Sequence, residues 1–253
     1  MAKLAVLILT FNEEKNIEAC INSASFADEV IVVDSLSTDN TVAIAKSLGV
    51  TVCLQVMNAG FGIQRNFALA QTQSEWVLYL DADERITSEL AIEIREIVDR
   101  GELCAYEILR ENIVFGKKIY HGSHSPDWSL RLYPRTAIHW EGLVHEKACV
   151  TLPVARCKGI MLHYTYTSWE KYFNKFNQYT SLMAEKNFLD GKRASFKDII
   201  LRPLFGFVKM YFLKRGFQDG RLGFVLAIVH AFYTFVKYIK LDYLSQAAKR
   251  KEA

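Results

Sequence analysis

The stretch Glu75-Trp76-Val77-Leu78-Tyr79-Leu80-Asp81-Ala82-Asp83-Glu84 is an apolar run that ends in three carboxylates within four residues. Such a run predicts a buried strand, which can carry charges only at its end. Alternate residues of an extended segment point the same way, so Asp81 and Asp83 face one side, where unpaired like charges repel. A divalent cation removes that conflict. The pair therefore predicts a Mg2+ or Mn2+ site completed by the phosphates of a nucleotide diphosphate.

Length and composition indicate one large domain, or one domain with an appendage. The chain has 253 residues, of which 51% are hydrophobic, enough for a substantial core. The apolar run within Met1–Leu9 is short and lacks a small-residue cleavage site, so we expect no signal peptide. The five cysteines are scattered and odd in number, which is typical of reduced thiols in a cytosolic protein.

The charge is divided unevenly along the chain. Residues 1–163 contain 15 Lys and Arg against 21 Asp and Glu, whereas residues 164–253 contain 16 against 7. The positive charge of the second part is interleaved with aromatic and aliphatic residues rather than with Gly and Ser. This pattern favours an anionic membrane surface over nucleic acid as its partner.

Strands and helices alternate through the first hundred residues. The apolar runs predict strands at Lys3–Leu9, Glu29–Asp34 and Val50–Val56, in addition to the strand that ends at Asp81. A helix is predicted after each of them: one capped by Asn12 or Thr10, one that passes through Ala43, Ala45 and Leu48, and two at Ile63–Ala70 and Ser88–Arg100. The alternation predicts an α/β fold, a mostly parallel sheet with helices on both faces.

Polar clusters follow each strand at the end where such sheets bind ligands. They are Thr10–Glu13, Asp34–Thr41, Gly62–Asn66 and Asp81–Asp83. A dinucleotide-binding fold would need a Gly-rich turn after the first strand, and residues 10–16 contain no glycine. The convergence therefore predicts a different nucleotide site.

Four motifs carry a resemblance to a known family: Thr10-Phe11-Asn12-Glu13, Asp34-Ser35-x-Ser37-x-Asp39-x-Thr41, Gln64-Arg65-Asn66 and Asp81-Ala82-Asp83. In this order and spacing they resemble the family 2 glycosyltransferases of GT-A fold, over about residues 4–165. Two further segments, residues 128–135 and 141–146, look like the acceptor-side half of the branch that builds the lipopolysaccharide or lipooligosaccharide inner core. The resemblance implies an inverting transfer of glucose from UDP-glucose to an inner-core heptose.

The resemblance also implies roles for single residues on the donor side. The turn Thr10, Phe11, Asn12 and Glu13 would hold the uracil and ribose, and Asp34 would accept hydrogen bonds from the base. Arg65 would lie along the base or the diphosphate. The metal would be bound by Asp83, with Asp81 at the ribose or a metal-bound water and His163 as a further metal or phosphate ligand. Ordinary turn capping is the alternative for Asn12, Glu13 and Asp34.

On the acceptor side, an inverting transfer needs a base that takes the proton of the attacking hydroxyl. Glu146 is the first candidate and Asp127 the second. His145 would orient the carboxylate or bind an acceptor phosphate. Residues 105–165 would form this half, and residues 1–104 the nucleotide-sugar half.

The third part, residues 166–253, is predicted to be a basic, aromatic helical tail. Ser168 would cap a helix to Leu189, and two apolar stretches follow at Ile199–Leu213 and Leu222–Val236. Neither is long enough to span a bilayer, because 15 helical residues cover about 22 Å of a core about 30 Å thick. The tail would either lie on the membrane or pack on the catalytic domain or a second copy. The first option predicts a cytoplasmic enzyme, peripheral on the inner face of the cytoplasmic membrane, with a lipid-linked core oligosaccharide as acceptor.

Other functions are compatible with these patterns. A glycosyltransferase for another cell-envelope glycan or a polyprenyl-linked acceptor would share the donor motifs. A nucleotidyltransferase would usually need a phosphate loop rich in Gly and basic residues, which is absent after Leu9. A non-catalytic nucleotide-binding scaffold docked on a membrane would bind nucleotide without releasing UDP.

Overall fold

A computed structural model describes residues 2–56, 60–122, 126–141 and 147–252. The chain forms two compact units and passes between them more than once. The first unit contains Met1–Glu111 and Asp127–Tyr164, and the second contains Asn112–Pro126 and Thr165–Ala253. The predicted domains 1–165 and 166–253 stay a prediction.

The first unit is built on four parallel strands whose apolar runs are nearly continuous. They are β1 (Leu4–Thr10), β2 (Glu29–Asp34), β3 (Thr51–Leu54) and β4 (Trp76–Asp81). Their order in the sheet is β3-β2-β1-β4, and all seven residues of β1 are buried. Continuous burial is expected for a parallel strand that is covered on both faces. The carboxyl ends of β1, β2 and β4 therefore lie side by side at one edge.

Helices cover both faces of these strands: α1 (Ile17–Ser23), α2 (Thr41–Ser47), α3 (Phe61–Ala70) and α4 (Ser88–Arg100). Alternate residues of β1 point into two different cores. One core contains buried residues of α1, α2 and α4, and the other contains Ala68 of α3. Successive side chains of a strand point to opposite faces of the sheet, so β1 contributes to the hydrophobic layer on each face.

The predicted start of one helix is confirmed, and that of another is wrong. α4 has the predicted bounds, with the Thr87 hydroxyl accepting from the Leu90 N–H at 3.3 Å. The predicted cap of the first helix was wrong, because α1 begins only at Ile17. The Asn12 side chain instead accepts a hydrogen bond from the Thr38 N–H, in the loop after β2.

The remaining strands are β5 (Glu84–Ile86), β6 (Ala105–Val114), β7 (Lys117–Ile119), β8 (Asp127–Pro134), β9 (Ile138–Glu141), β10 (Lys147–Val150) and β11 (Val154–Tyr166). The large sheet has the order β3-β2-β1-β4-β8-β6-β11-β5, with β7 beside β6, and β9 pairs with β10 separately. The pairs β4–β8, β6–β8 and β5–β11 are antiparallel. The predicted fold class is confirmed, and the sheet is mixed because its parallel part ends at β4.

Among the described residues, the second unit contains three α-helices: α5 (Trp169–Leu189), α6 (Phe196–Val208) and α7 (Gly220–Glu252). Ser168 caps α5 as predicted, accepting from the Lys171 N–H at 3.2 Å. α7 packs against both other helices. Phe176 of α5 stacks on Phe232 of α7 with 5.4 Å between ring centroids, and the Lys240 ammonium donates to the Asn177 side chain at 2.8 Å.

The prediction that neither apolar stretch could span a bilayer was wrong for the second stretch. Leu222–Val236 lies within α7, a single helix of 33 residues that continues through Lys237 and Lys240. Gly216–Ala248 contains an apolar segment of which only 22% is buried. By its length and composition, the helix is thus long and apolar enough to cross a membrane.

Candidate active site

The loops after β1 and β2 interlock at the carboxyl edge of the sheet. Asn12 has a left-handed backbone with φ of 54°, and its N–H donates to the Ser37 hydroxyl at 2.8 Å. Its side-chain oxygen accepts from the Thr38 N–H at 2.8 Å. The Glu13 N–H donates to the Thr41 hydroxyl at 2.8 Å. Asn12 and Glu13 therefore hold the two loops together.

Asp34 at the end of β2 is fully buried and shapes the loop that follows it. Its Oδ1 accepts from the Ser37 N–H at 2.7 Å, and its Oδ2 accepts from the Ser37 hydroxyl. Thr10 lies beside it in the sheet, and among the described residues the buried Thr10 hydroxyl has no partner. The Phe11 side chain is 51% exposed. Among the described residues at this edge, Thr10 therefore has an unpaired hydroxyl and Phe11 an exposed ring.

Asp81, the last residue of β4, is paired with two arginines. Arg131 Nη2 lies 2.7 Å from Asp81 Oδ2, and Arg65 Nη2 lies 3.4 Å from Oδ1. Burial alone would raise the pKa of Asp81, but the charges of Arg131 and Arg65 outweigh it and hold the pKa well below its usual range. The sequence predicted that a divalent cation balances the negative charge of Asp81. In the structure, the guanidinium groups of Arg131 and Arg65 balance it.

A second carboxylate, Glu84, extends this network. Its side chain is fully buried, and Oε1 lies 2.6 Å from Arg131 Nη2 and 3.2 Å from Arg110 Nη1. Arg110 Nη2 lies in turn 2.9 Å from Asp127 Oδ1. Burial raises the pKa of Glu84, and the two arginines offset this only in part. A chain of alternating charges therefore connects Asp127, at the start of β8, to Asp81.

Arg65 has unpaired hydrogen-bond donors that an anionic ligand could use. Its side chain is 8% exposed, and its guanidinium carbon lies 4.6 Å from the Trp140 ring centroid and 5.6 Å from that of Tyr79. Among the described residues its buried Nε and Nη1 have no hydrogen-bond partner. Buried guanidinium donors are rarely left unpaired, so these two N–H groups are suited to the oxygens of a ligand.

Asp83 and His163 form a separate polar pair. Asp83 Oδ2 lies 3.6 Å from His163 Nε2, and the two side chains are 18% and 15% exposed. The strands fix this pair, because the Tyr164 N–H donates to the Asp83 carbonyl at 2.8 Å and His163 lies opposite Glu84. One carboxylate oxygen and one imidazole nitrogen can bind a divalent metal together and leave its other positions to phosphate and water. The residues present therefore fit such a metal.

The structure brings the predicted donor-side residues to one edge of the first unit. The predicted base Glu146 and its neighbour His145 lie outside the described residues, so their roles stay predictions. The sequence did not single out three members of the charged network, namely Glu84, Arg110 and Arg131. A signal for Arg131 existed, since it interrupts the apolar part of β8, but Arg110 lies in a polar stretch with nothing to mark it.

Comparisons with known proteins agree with this architecture. Residues 5–197 match the model of the family described as glycosyl transferase family 2. The chain is 33% identical to an uncharacterized glycosyltransferase of Rickettsia prowazekii, over 97% of this chain and 88% of the relative. It is 28% identical to the lipopolysaccharide core biosynthesis glycosyltransferase LpsC of Rhizobium meliloti, over 94% of this chain and 91% of the relative.

A solved structure shows the same fold. Residues 1–349 of Staphylococcus aureus TarS, in complex with UDP-GlcNAc, are similar with a TM-score of 0.50 and 18% identity, over 97% of this chain and 92% of that chain. At this identity the likeness concerns the fold alone. The length of the family match, together with the Rickettsia relative, shows that the chain belongs to glycosyl transferase family 2.

Proposed function

We propose that the protein is an inverting glycosyltransferase that moves a sugar from a UDP-sugar to a heptose of the lipopolysaccharide or lipooligosaccharide inner core. The likeness to LpsC supports the core acceptor, and the resemblance of the motifs suggests glucose from UDP-glucose. The observation that carries the proposal is Arg65, whose guanidinium has two unpaired buried nitrogens and lies beside Asp81, two residues before Asp83 of the Asp83–His163 pair. Hydrogen-bond donors for an anion, together with a carboxylate and an imidazole that can bind a metal, suit a nucleotide diphosphate.

Each donor-side residue then has a role that follows from its contacts. Thr10 and Phe11 would meet the base and ribose, while Asn12, Glu13 and Asp34 keep their loops in place. Arg65 would donate to the diphosphate, and Asp81 would hold its guanidinium in position. Asp83 and His163 would bind the divalent metal, and Mn2+ is favoured over Mg2+ because one donor is an imidazole. When bound, the metal supplies positive charge that stabilises the departing diphosphate.

The acceptor hydroxyl must lose its proton as its oxygen attacks the anomeric carbon and UDP leaves. A carboxylate can take this proton if it is ionised and within hydrogen-bond reach. Asp127 Oδ1 lies 2.9 Å from Arg110 Nη2, which holds the carboxylate in place. We therefore keep both carboxylates as candidates, Asp127 on the basis of this contact and Glu146 on the basis of its sequence context.

We also infer that the second unit docks on an anionic membrane surface. α6 buries Pro203 and Gly206, yet its other side is apolar as well. We call this side the apolar face of α6; its members, each at least 42% exposed, are Phe196, Ile200, Leu201, Leu204, Phe205 and Val208. Exposed basic residues flank it, at Lys197, Arg202, Lys209, Lys214 and Arg215. An exposed apolar face edged by cations is typical of helices that lie in a membrane interface.

A UDP-release assay tests the proposal. Purified protein with Mn2+ would be supplied with several UDP-sugars and with heptose-containing core lipid, deheptosylated core lipid or a polyprenyl-linked acceptor. We expect UDP release that depends on the heptose-containing lipid and is fastest with UDP-glucose. Release with the polyprenyl acceptor alone would point to another envelope glycan, and nucleotide binding without any UDP release would identify a non-catalytic scaffold.

A further inference from the structure

In the second unit, one buried carboxylate fixes a short segment of the acceptor half. Asp219 ends a 3-10 turn, Gly216–Asp219, and its side chain is only 5% exposed. Its Oδ1 accepts from the Tyr120 N–H at 3.3 Å and lies 3.0 Å from His121 Nδ1. Its Oδ2 accepts from the His121 N–H at 2.9 Å. A single side chain therefore binds two consecutive backbone amides and an imidazole.

The next amide of the segment is fixed from the same region of the tail. The Gly122 N–H donates to the Lys214 carbonyl at 3.0 Å. The three consecutive N–H groups of residues 120–122 are thus all donated to residues 214–219. Backbone amides that follow an edge strand such as β7 usually donate to water. Because all three amides donate to protein oxygens instead, this segment is fixed to residues 214–219.

The turn that carries Asp219 is tightly packed. A Cβ on Gly216 would lie 2.7 Å from the Met210 carbonyl oxygen, and a Cβ on Gly223 would lie 1.9 Å from that of Gly216. Side chains at these two positions would force the backbone apart. About 10 Å³ of free space remains among the residues around Asp219 and His121, no more than one water would fill. The carboxylate is therefore presented from a rigid support.

The residues around this turn also suit a lipid surface. Phe212, Leu213 and Phe217 are 55%, 67% and 46% exposed, and Lys214 and Arg215 lie between them in the chain. The turn follows α6 after the seven residues 209–215 and shares its apolar, cationic character. If the tail docks on the membrane as proposed above, the same turn brings Tyr120 and His121 to the level of the lipid headgroups.

We propose that Asp219 is a positioning residue that holds Tyr120–Gly122 for recognition of a lipid-linked saccharide at the membrane surface. This inference rests on the proposed function and deepens it, because it gives the tail a part in acceptor binding besides attachment. Tyr120 is 52% exposed and offers an aromatic ring and a hydroxyl, groups that recognise sugars by stacking and hydrogen bonding. Asp127, the candidate base, follows six residues after His121 along the chain.

The test compares Asp219→Ala and Asp219→Asn with Asp242→Ala in the full-length protein. Asp242 is a matched control, since it lies in α7 and accepts from the Gln246 side chain at 2.6 Å. In Asp219→Ala we expect the amides of Tyr120 and His121 to exchange hydrogen about tenfold faster or more, the usual effect of losing a hydrogen bond to a charged group. Asparagine keeps one acceptor oxygen and should restore part of the protection.

The kinetic arm separates positioning from general stability. For Asp219→Ala we expect the KM for a membrane-embedded core lipid to rise several-fold, with a smaller rise for the matching soluble oligosaccharide. The KM for the UDP-sugar should match that of Asp242→Ala. Faster exchange with an unchanged lipid KM would overturn the inference, and so would equal losses in donor binding and stability. Absence of UDP release by the wild-type protein would instead remove the proposed function, while hydrogen exchange would still report on the Asp219 contacts.

Discussion

At the scale of single residues, the site depends on a buried ionic network rather than on isolated carboxylates. Glu84 is fully buried between Arg131 and Arg110, and Arg131 also binds Asp81. Taking charges out of water is costly, and a buried pair is tolerated only while every member keeps its partners. Loss of any one member of this network should therefore disturb the arginines that pair with Asp81 and lower the stability of the protein.

Glu84→Ala should destabilise the protein by about 3–5 kcal/mol, because it leaves the buried Arg131 and the partly buried Arg110 without their shared anion. The free energy of unfolding, measured by urea denaturation, tests this. Glu96→Ala is the control, since Glu96 is an exposed glutamate of α4. A loss below about 1 kcal/mol for Glu84→Ala would mean that the arginines find other partners.

Asp83→Ala should abolish sugar transfer while the fold survives. The variant removes one member of the Asp83–His163 pair, so charge on the departing diphosphate is no longer stabilised, a loss of several kcal/mol at the transition state. Metal-dependent UDP release and the circular dichroism spectrum would be measured together, with His163→Ala alongside. Retained turnover that still requires metal would remove Asp83 as a ligand.

The two candidate bases can be separated with nearly isosteric variants. Loss of a general base usually lowers turnover by about 10²-fold or more and leaves substrate binding in place. Glu146→Gln and Asp127→Asn should differ accordingly in turnover, while UDP-sugar affinity stays near wild type in both. Normal turnover in Glu146→Gln with a loss in Asp127→Asn would assign the base to Asp127 and leave residues 144–146 as acceptor scaffolding.

At the scale of elements, Asp28 joins the start of β1 to α4. Its Oδ2 accepts from the Leu4 N–H at 2.8 Å and from Arg95 Nη1 at 2.8 Å. The Leu4 hydrogen bond and then the Arg95 contact lower the pKa of Asp28 below its ordinary value. A carboxyl whose pKa is lower in the folded state stabilises the fold at pH values above its unfolded pKa, and this stabilisation is lost as the pH falls.

Asp28→Asn should therefore be less stable than wild type at pH 7. The difference should shrink as the pH falls below about 4, the ordinary pKa of aspartate, and through the lowered value in the folded protein. Urea midpoints of both proteins at pH 7, 5 and 3 would show this. Asp99→Asn serves as a control, because Asp99 lies 3.8 Å from the same Arg95. A difference that does not change with pH would assign the effect to geometry rather than charge.

The tail is best tested through its surface, because its helices depend on one another. Removing α6 and α7 would uncover Phe176 and the rest of the face of α5 that packs on α7. Substitutions on the apolar face of α6 leave this packing in place. Leu204 and Phe205, which are 60% and 61% exposed, are suitable positions.

Wild-type protein should sediment with anionic vesicles and be partly released by high salt, since cations contribute to the binding. The double variant Leu204→Ser, Phe205→Ser should bind about tenfold more weakly or worse, because two large apolar side chains no longer enter the interface. Ile92→Ser is the control, as Ile92 is 63% exposed on α4 of the first unit. Indifference to vesicles together with dimerisation through the tail would favour the packing alternative.

At the scale of the whole molecule, the chain contributes to its two units in alternation. Residues 112–126 belong to the second unit although they lie between two segments of the first. β6 and β11 both continue past the points where the units divide. A cut at one position in the sequence therefore cannot separate the units, and experiments on the tail should use the full chain.

The sequence by itself determined the alternating strands and helices, their order along the chain and the edge of the sheet where the polar motifs lie. Continuous apolar runs predicted β1, β2 and β4, and the period of α4 predicted that helix to its last residue, because local patterning and burial agree there. The family followed from motifs that lie in loops of fixed spacing. These features depend on residues close together in the chain.

Only the tertiary structure decided which charges meet. Arg131 reaches Asp81 across 50 residues and Asp219 reaches His121 across 98, and no local pattern encodes such pairs. The length of α7 was likewise misjudged, since a helix packed against two others continues through lysines that would end an isolated apolar segment. Long-range electrostatic pairing depends on strand order and packing. The sequence therefore predicted where the carboxylates lie in the sheet, whereas their arginine and histidine partners were determined by the tertiary structure.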